Sequence, residues 1–295
     1  MPSLTKTINM KKILIIFLII SFNNISFAGG GWPQEKGKGY FKLGQNAIIA
    51  DNFYDLGGNV IPITTISLYT TSFYGEYGIT DRLTAIAYVP FFVRSTLNKV
   101  ERRQSGNIEP GDEINTFGDT DLSLKYGWTP GKKIALATTI TFGLPLGRTA
   151  KGTTSSGDPR ILQTGDGEFN QMLFADASYS FYPKPIYASI GAGYNNRTEG
   201  FSDEIRYSAE IGYQFYKGFN LAIKVYGVSS TNNGEKGGGA GSGVFGNNVE
   251  YLSYGPELSY TVKDKYGAAL SAAYATAGQN LLAAPNYGFG IFYKL

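Results

Sequence analysis

Cysteine and histidine are both absent from the 295 residues, and charged side chains make up only 17% of them. Without Cys there is no disulfide scaffold, no cysteine nucleophile and no thiolate metal site. Without His there is no Ser-His-Asp triad, no histidine general base and no His-ligated zinc. Any enzyme chemistry would have to come from carboxylates, Lys or Tyr. The charge content is low against about 25% for an ordinary soluble domain. Beyond residue 28 no stretch is apolar enough for a membrane-spanning helix. The length suits one large β domain or two ordinary ones.

What is abundant is Gly (39), Tyr (22) and Phe (19). The chain opens with Lys11 and Lys12, then the apolar run from Ile13 to Ile20, then Ser26-Phe27-Ala28. A basic segment, a short apolar segment and a small-x-small site predict a signal peptide over residues 1–28. The apolar run is well short of the ~20 residues that a membrane helix needs. Lys6, Lys11 and Lys12 also account for the excess of 26 basic over 23 acidic residues, leaving 23 of each. The pI of 8.7 is therefore no sign of nucleic acid as a partner.

The rest alternates with period two. Leu122, Leu124, Tyr126 and Trp128 interleave with Asp121, Ser123, Lys125 and Gly127. Tyr207, Ala209, Ile211, Tyr213 and Phe215 interleave with Arg206, Ser208, Glu210, Gly212 and Gln214. That spacing fits strands with one apolar face, not helices. About 12 such segments fall at 39–50, 63–79, 83–95, 119–128, 134–143, 171–182, 186–197, 205–216, 220–231, 250–262, 266–278 and 286–295. Each is near the ~9–11 residues of a tilted membrane strand. Short connections (80–82, 129–133, 183–185, 217–219, 263–265) alternate with long ones such as 96–118, 144–170 and 232–248.

This pattern predicts an all-β, transmembrane antiparallel β-barrel of about 12 strands, with short periplasmic turns and long external loops. Residues 29–38 form a short periplasmic N-terminal segment and 39–295 the outer-membrane barrel, in the outer membrane of a Gram-negative bacterium. Aromatics near strand ends (Tyr77, Tyr126, Trp128, Phe181, Tyr182, Tyr213, Phe215) suit interface girdles. The last strand carries Tyr287, Phe289, Ile291, Tyr293 and Leu295 on one face. It resembles the C-terminal signal read by barrel-assembly machinery, with Leu where an aromatic is commoner. The competing fold is a soluble, ligand-holding barrel, whose outer face would be polar.

If the apolar face meets lipid, the other face lines the lumen. Its charged members are Lys42, Glu76, Arg94, Asp121, Lys125, Asp176, Arg206, Glu210, Lys224, Glu257 and Lys294. A lipid-facing Arg or Lys at the midplane would cost about 2–4 kcal/mol, so inward placement is expected. Glu210 and Lys224 should be diagonal partners across a tight turn, and Arg94 and Asp121 should sit together near the external end. Small inward residues (Ser123, Gly127, Ser178, Ser180, Gly191, Gly193, Gly212) would leave the bore partly open, with Tyr226 and Phe292 adding apolar surface. The lining reads equally as a solute-selecting channel or as a salt-bridged filling.

Other motifs are weaker. Gly241-Ser-Gly-Val-Phe-Gly246 matches G-x-G-x-x-G but lacks the strand before and helix after that nucleotide binding needs. Asp158, Asp166 and Glu168 share a loop without calcium-loop spacing and read as solvated. Glu101-Arg102-Arg103 with Asp112 and Glu113 is a mixed-charge external loop, with lipopolysaccharide phosphates as possible contacts of the arginines. Pro256 within a strand predicts a bulge or bend.

The order Phe117-Gly-Asp-Thr-Asp-Leu-Ser-Leu-Lys-Tyr126, Thr141-Phe-Gly-Leu-Pro-Leu-Gly147, Gly165-Asp-Gly-Glu-Phe-Asn170, Gly193-Tyr-Asn-Asn-Arg-Thr-Glu-Gly200, Asp203-Glu204 and Glu210-Ile-Gly-Tyr213 resembles the outer-membrane barrel family labelled "MetA-pathway of phenol degradation". The likeness spans about residues 35–295. It implies passage of small, aromatic or hydrophobic solutes across the outer membrane, with no catalytic residues, cofactor or metal. The expected partners are outer-membrane lipid and lipopolysaccharide, barrel-assembly machinery and small-molecule solutes, with no nucleic acid. Two alternatives stay open: an outer-membrane enzyme, against which the lack of His weighs, and a closed structural or adhesive barrel working through its external loops.

Overall fold

The computed structural model describes residues 30–97, 99–101, 108–153, 159–235 and 245–295. Twelve strands build the wall: β1 Gly39–Tyr54, β2 Val60–Gly78, β3 Leu83–Leu97, β4 Thr120–Gly127, β5 Ile134–Leu144, β6 Asn170–Ser180, β7 Ile186–Arg197, β8 Glu204–Tyr216, β9 Phe219–Ser230, β10 Glu250–Val262, β11 Tyr266–Gln279 and β12 Asn286–Lys294. Every neighbour in sequence is an antiparallel neighbour in space, and β1 pairs with both β2 and β12. The ladder from Tyr40↔Lys294 to Ile48↔Asn286 closes the ring. Closure leaves no open edge, which is the condition for a sheet in lipid.

The outer face is apolar and exposed: Ile190 is 64% accessible, Leu173 58% and Leu270 58%. The inside holds Glu76 at 0% and Lys125 at 4%. This inversion excludes a soluble barrel, since lipid alone favours such a surface. The girdle aromatics Tyr77, Tyr126, Trp128, Phe181, Tyr182, Tyr213 and Phe215 all stay exposed on that face. The first and last strands begin and end side by side, with Leu295 N donating to Gly39 O at 2.8 Å. By the rule for outer-membrane barrels, that end and the short turns are periplasmic.

The strand limits match the period-two pattern to within a few residues; β7 and β10 coincide with it. The irregularities are local. Opposite Thr71 and Phe73, β3 carries extra residues around Pro90, so Thr71 pairs with Phe92 and Phe73 with Val89. Pro has no N–H for the ladder, and a bulge is where it is tolerated. The expected disturbance at Pro256 is real but displaced. Pro256 pairs with Ile223 on one side, whereas toward β11 the ladder skips from Tyr254 to Glu257, and the register shift falls between Leu252 and Ser253. Short external strands extend the wall: Glu113–Thr116 against β3, and the hairpin Thr149–Thr153 with Pro159–Gln163. Leu97 and Leu162 pack under them with Ile66 and Ile114. The signal-peptide expectation, Arg102, Arg103, Asp158 and Gly241–Val244 lie outside the described residues.

Candidate functional site: the barrel lumen

The lumen is closed at its periplasmic end by the chain's own N-terminal segment. Residues 30–36 do not hang below the barrel as a periplasmic segment; they run inside its mouth. Gly31 N donates to Ser178 Oγ on β6 at 2.8 Å, and Gln34 N donates to Thr84 Oγ1 on β3 at 2.8 Å. Gln34 Nε2 donates to Glu76 Oε2 on β2 at 2.8 Å. Trp32 meets the Tyr187 ring on β7 edge-on, with centroids 5.8 Å apart. Pro33 sits against Gly127 on β4, where a Cβ would lie 2.6 Å from it. The segment thus touches strands along one half of the ring, from β2 to β7. Glu76 is satisfied without a cation: Tyr74 also donates to it.

The small inward residues on β7 and β8 are not themselves the open space of the bore; they are sockets. A Cβ on Gly212 would fall 2.0 Å from the Tyr187 ring, and one on Gly191 would fall 2.3 Å from the Phe174 ring. The rings lie across the glycines and narrow the lumen there. Ser178 and Ser189 form a hydrogen-bonded pair at 2.7 Å beneath Gly30.

Above the segment lies an inner chamber of about 400 Å³, lined by Tyr40, Tyr74, Tyr88 and Tyr226 and by charged groups. The charges form one belt. Lys42 reaches Glu257 at 3.5 Å, Glu257 bonds Lys224 at 2.9 Å, and Lys224 lies 3.7 Å from Glu210. Tyr187 donates to Glu210 and ends the chain. Two Lys and two Glu cancel. Glu210 and Lys224 are directly opposite rather than diagonal, because the turn holds them in register. Lys42 crosses the inner faces of β12 and β11 to reach β10, and Gly290 makes room: a Cβ there would be 2.4 Å from the Lys42 side chain.

A second, outer chamber of about 240 Å³ follows toward the external side. It occupies the next inward positions of the same strands: Ile48 after Asn46 on β1, Arg206 after Ser208 on β8, Ala273 after Ser271 on β11 and Asn286 before Gly288 on β12.

Over this chamber the external loops are bound to each other through carboxylates. Asp119 accepts from Gly147 N at 2.8 Å and from Asp166 N at 2.7 Å. Arg197, at the end of β7, holds Asp166 at 2.5 Å, Glu168 at 2.8 Å and Glu204 at 2.8 Å. Asp203 accepts from Arg197 N, Asn196, Tyr194 and Asn233. Ser202 N and Asn280 both bond Asn247. Burial and the neighbouring Asp119 raise the Asp166 carboxyl to about 7, overriding Arg197, whose charge is shared three ways. Burial also raises Asp203, but its donors outweigh that and hold it below the usual carboxylate value.

Lys42, Glu76, Asp121, Lys125, Asp176, Arg206, Glu210, Lys224 and Glu257 all take inward positions, and Lys294 sits at the periplasmic rim over the Phe292 ring. Arg94 does not. Beyond the bulge the parity of β3 is reversed, so Val93, Ser95 and Leu97 are buried and Arg94 points outward. It pairs with Glu113 rather than Asp121, both side chains being over 40% exposed. Asp121 has Arg206 as an opposing charge within the lumen. Asp166 and Glu168 are not solvated: they are buried partners of Arg197. The sequence reading missed Arg197. Its parity with Gly191 and Gly193 on one strand was the signal that placed it inward.

Known structures share this architecture. The COG4313 outer membrane channel from Pseudomonas putida F1 is 14% identical, with 91% of this chain and 99% of that chain covered and a TM-score of 0.63. The translocator domain of the autotransporter NalP from Neisseria meningitidis is 10% identical, with 97% and 96% covered and a TM-score of 0.55. The NanC porin is 9% identical, with 86% and 100% covered and a TM-score of 0.52. At such identities the likeness is one of fold, and function has to be argued from the site. A comparison with curated proteins finds no match. The family described as "Putative MetA-pathway of phenol degradation" matches residues 50–289, so the chain belongs to that family.

Proposed function

We propose that the protein is a passive outer-membrane conduit for small solutes, with aromatic or hydrophobic solutes favoured over ions. The observation that carries this reading is the pair of chambers stacked along one lumen. Below them the obstruction is a terminal segment and not the barrel wall. A wall of 12 strands is wider than the 8-stranded barrels that side chains alone fill. Four tyrosines around the inner chamber offer ring faces and hydroxyls, and the balanced belt gives no strong ion preference. A family description that mentions phenol degradation supports aromatic solutes. The reading includes export behind a cleaved signal peptide, folding by barrel-assembly machinery and contact with lipopolysaccharide at the loops.

The second reading is a closed structural or adhesive barrel, favoured by the carboxylate network that ties the external loops together. Planar-bilayer conductance and liposome flux decide between them. The conduit predicts small steps for the intact protein and larger ones without residues 30–37. If neither form passes current or solute, the conduit reading fails.

A further inference from the structure

The two chambers differ in chemistry. The outer one has an aliphatic wall of Ile48, Val228, Val249, Leu281 and Leu282, all on β-strands or short turns of the ring. Val228, Val249, Leu281 and Leu282 are each under 9% exposed, so this wall is packed in place before any solute arrives. Apolar surface facing a lumen gains nothing from water and is stabilised by an apolar occupant.

Two polar groups on the same chamber have bonding capacity left over. Asn286 stands between the chambers, and its Oδ1 is buried with no hydrogen-bond partner among the described residues. A buried amide acceptor in that state is destabilising and gains from a donor. Arg206 spends Nε and Nη2 on one oxygen of Glu204, at 2.9 and 2.7 Å, and its side chain stays 40% exposed. Its Nη1 edge therefore remains for a ligand. One group needs a donor and the other an acceptor. A hydroxyl is both, and it serves either orientation of the amide.

Charge narrows the class further. Arg197 and Arg206 face Glu168 and Glu204, so both guanidinium charges are already matched, and Asp166 adds a further carboxyl beside them. A second anion would meet repulsion, and a cation would meet the exposed edge of Arg206. About 240 Å³ is below the roughly 300–1,000 Å³ of drug-sized sites, which limits the occupant to one ring or a short chain.

We propose that the outer chamber is a binding site for a small neutral amphiphile: a compact apolar body against the aliphatic wall and one hydroxyl between Asn286 and Arg206. The assignment deepens the conduit reading by naming where a solute rests and what its head must be.

Full-length protein in lipid nanodiscs, titrated calorimetrically against empty nanodiscs, tests this with p-cresol, toluene and 4-methylbenzoate. These probes share one body and differ in the head. p-Cresol should bind, with toluene and 4-methylbenzoate at least about tenfold weaker. Ala273→Phe, which fills the chamber and removes no polar group, should abolish p-cresol binding. Ser253→Phe, on the adjacent strand of the chamber lining, serves the same purpose if Ala273→Phe does not fold. Asn286→Leu should weaken p-cresol about tenfold and leave toluene unchanged. No p-cresol heat above empty nanodiscs overturns the assignment. So does 4-methylbenzoate binding equal to p-cresol, or p-cresol binding that survives the filled chamber. Flux through the protein without p-cresol binding removes this site and keeps the conduit. Binding without any conductance or flux keeps the site and removes the conduit.

Discussion

The two ends of the lumen are closed by different physics. At the periplasmic end one segment, residues 30–36, is held by hydrogen bonds that its uncharged Gly31 N, Gln34 N and Gln34 Nε2 donate to Ser178, Thr84 and Glu76, and by ring contact with Tyr187. It joins the sheet through a single bridge, Lys36 to Gly78. At the external end several loops are bound to one another through Asp119, Arg197 and Asp203, all charged. A closure hung on one segment can leave as a unit without disturbing the ladder. A closure shared among loops around a buried cation cannot be lost piecemeal. The contrast locates the removable obstruction at the bottom and the structural lock at the top.

Removing residues 30–37 is expected to have the largest effect. Single-channel conductance should rise several-fold, with heat-modifiable gel mobility kept, because no barrel strand is shortened. Unchanged conductance would place the real constriction elsewhere. Next in size is Arg197→Leu. It leaves Glu168 at 0% and Glu204 at 6% side-chain exposure without their common partner. Breaking a buried ion pair from one side costs about 3–5 kcal/mol. The midpoint of the heat-induced mobility shift should fall clearly, and the external loops should become sensitive to protease.

A smaller effect is expected from pH. Asp166 titrates near 7 in the folded protein and near 3.9 in an unfolded chain. Between those values the folded state holds a proton that the unfolded state has released. Its stabilising contribution is present at low pH and lost as pH rises through about 7. Wild type should therefore lose stability from pH 5 to pH 8 relative to Asp166→Asn, whose side chain stays neutral. Parallel pH profiles for the two would show that Asp166 is ionised throughout. Least of all should come from Arg94→Ala. An exposed pair contributes about 0–1 kcal/mol, so stability should barely change. Ion selectivity should not move, whereas Lys42→Met should shift it toward cations by unbalancing the belt.

Much of this was legible because lipid imposes a period-two code on every strand, and the code survives wherever the ladder is regular. Of the eleven charges placed in the lumen that way, nine take inward positions and Lys294 sits at the periplasmic rim. The remaining one, Arg94, was lost because parity is a running count and the bulge at Pro90 resets it. The role of the small inward residues was misread for another reason. Gly191, Gly193 and Gly212 look like space in a one-dimensional pattern, but their neighbours across the ladder carry Phe174 and Tyr187. The inward N-terminal segment carried no period at all, being too short to show one. Trp32 and Pro33 among glycines were its only mark.

The seam between β1 and β12 sets the order in which the molecule can be made. Eleven strand pairings join neighbours along the chain and can form as local hairpins. The twelfth joins Tyr40 to Lys294, almost the whole length apart. Bringing ends so distant together costs about 5 kcal/mol of chain entropy before the first bond of that ladder forms. Until then both edges are open to pairing with another chain. The N-terminal segment, which touches β2, β3, β4, β6 and β7 from inside, has to be in place when the sheet curls shut or thread in afterwards. Shortening the C-terminal strand should therefore show itself first as aggregation during folding, well before any change in a barrel that has already closed.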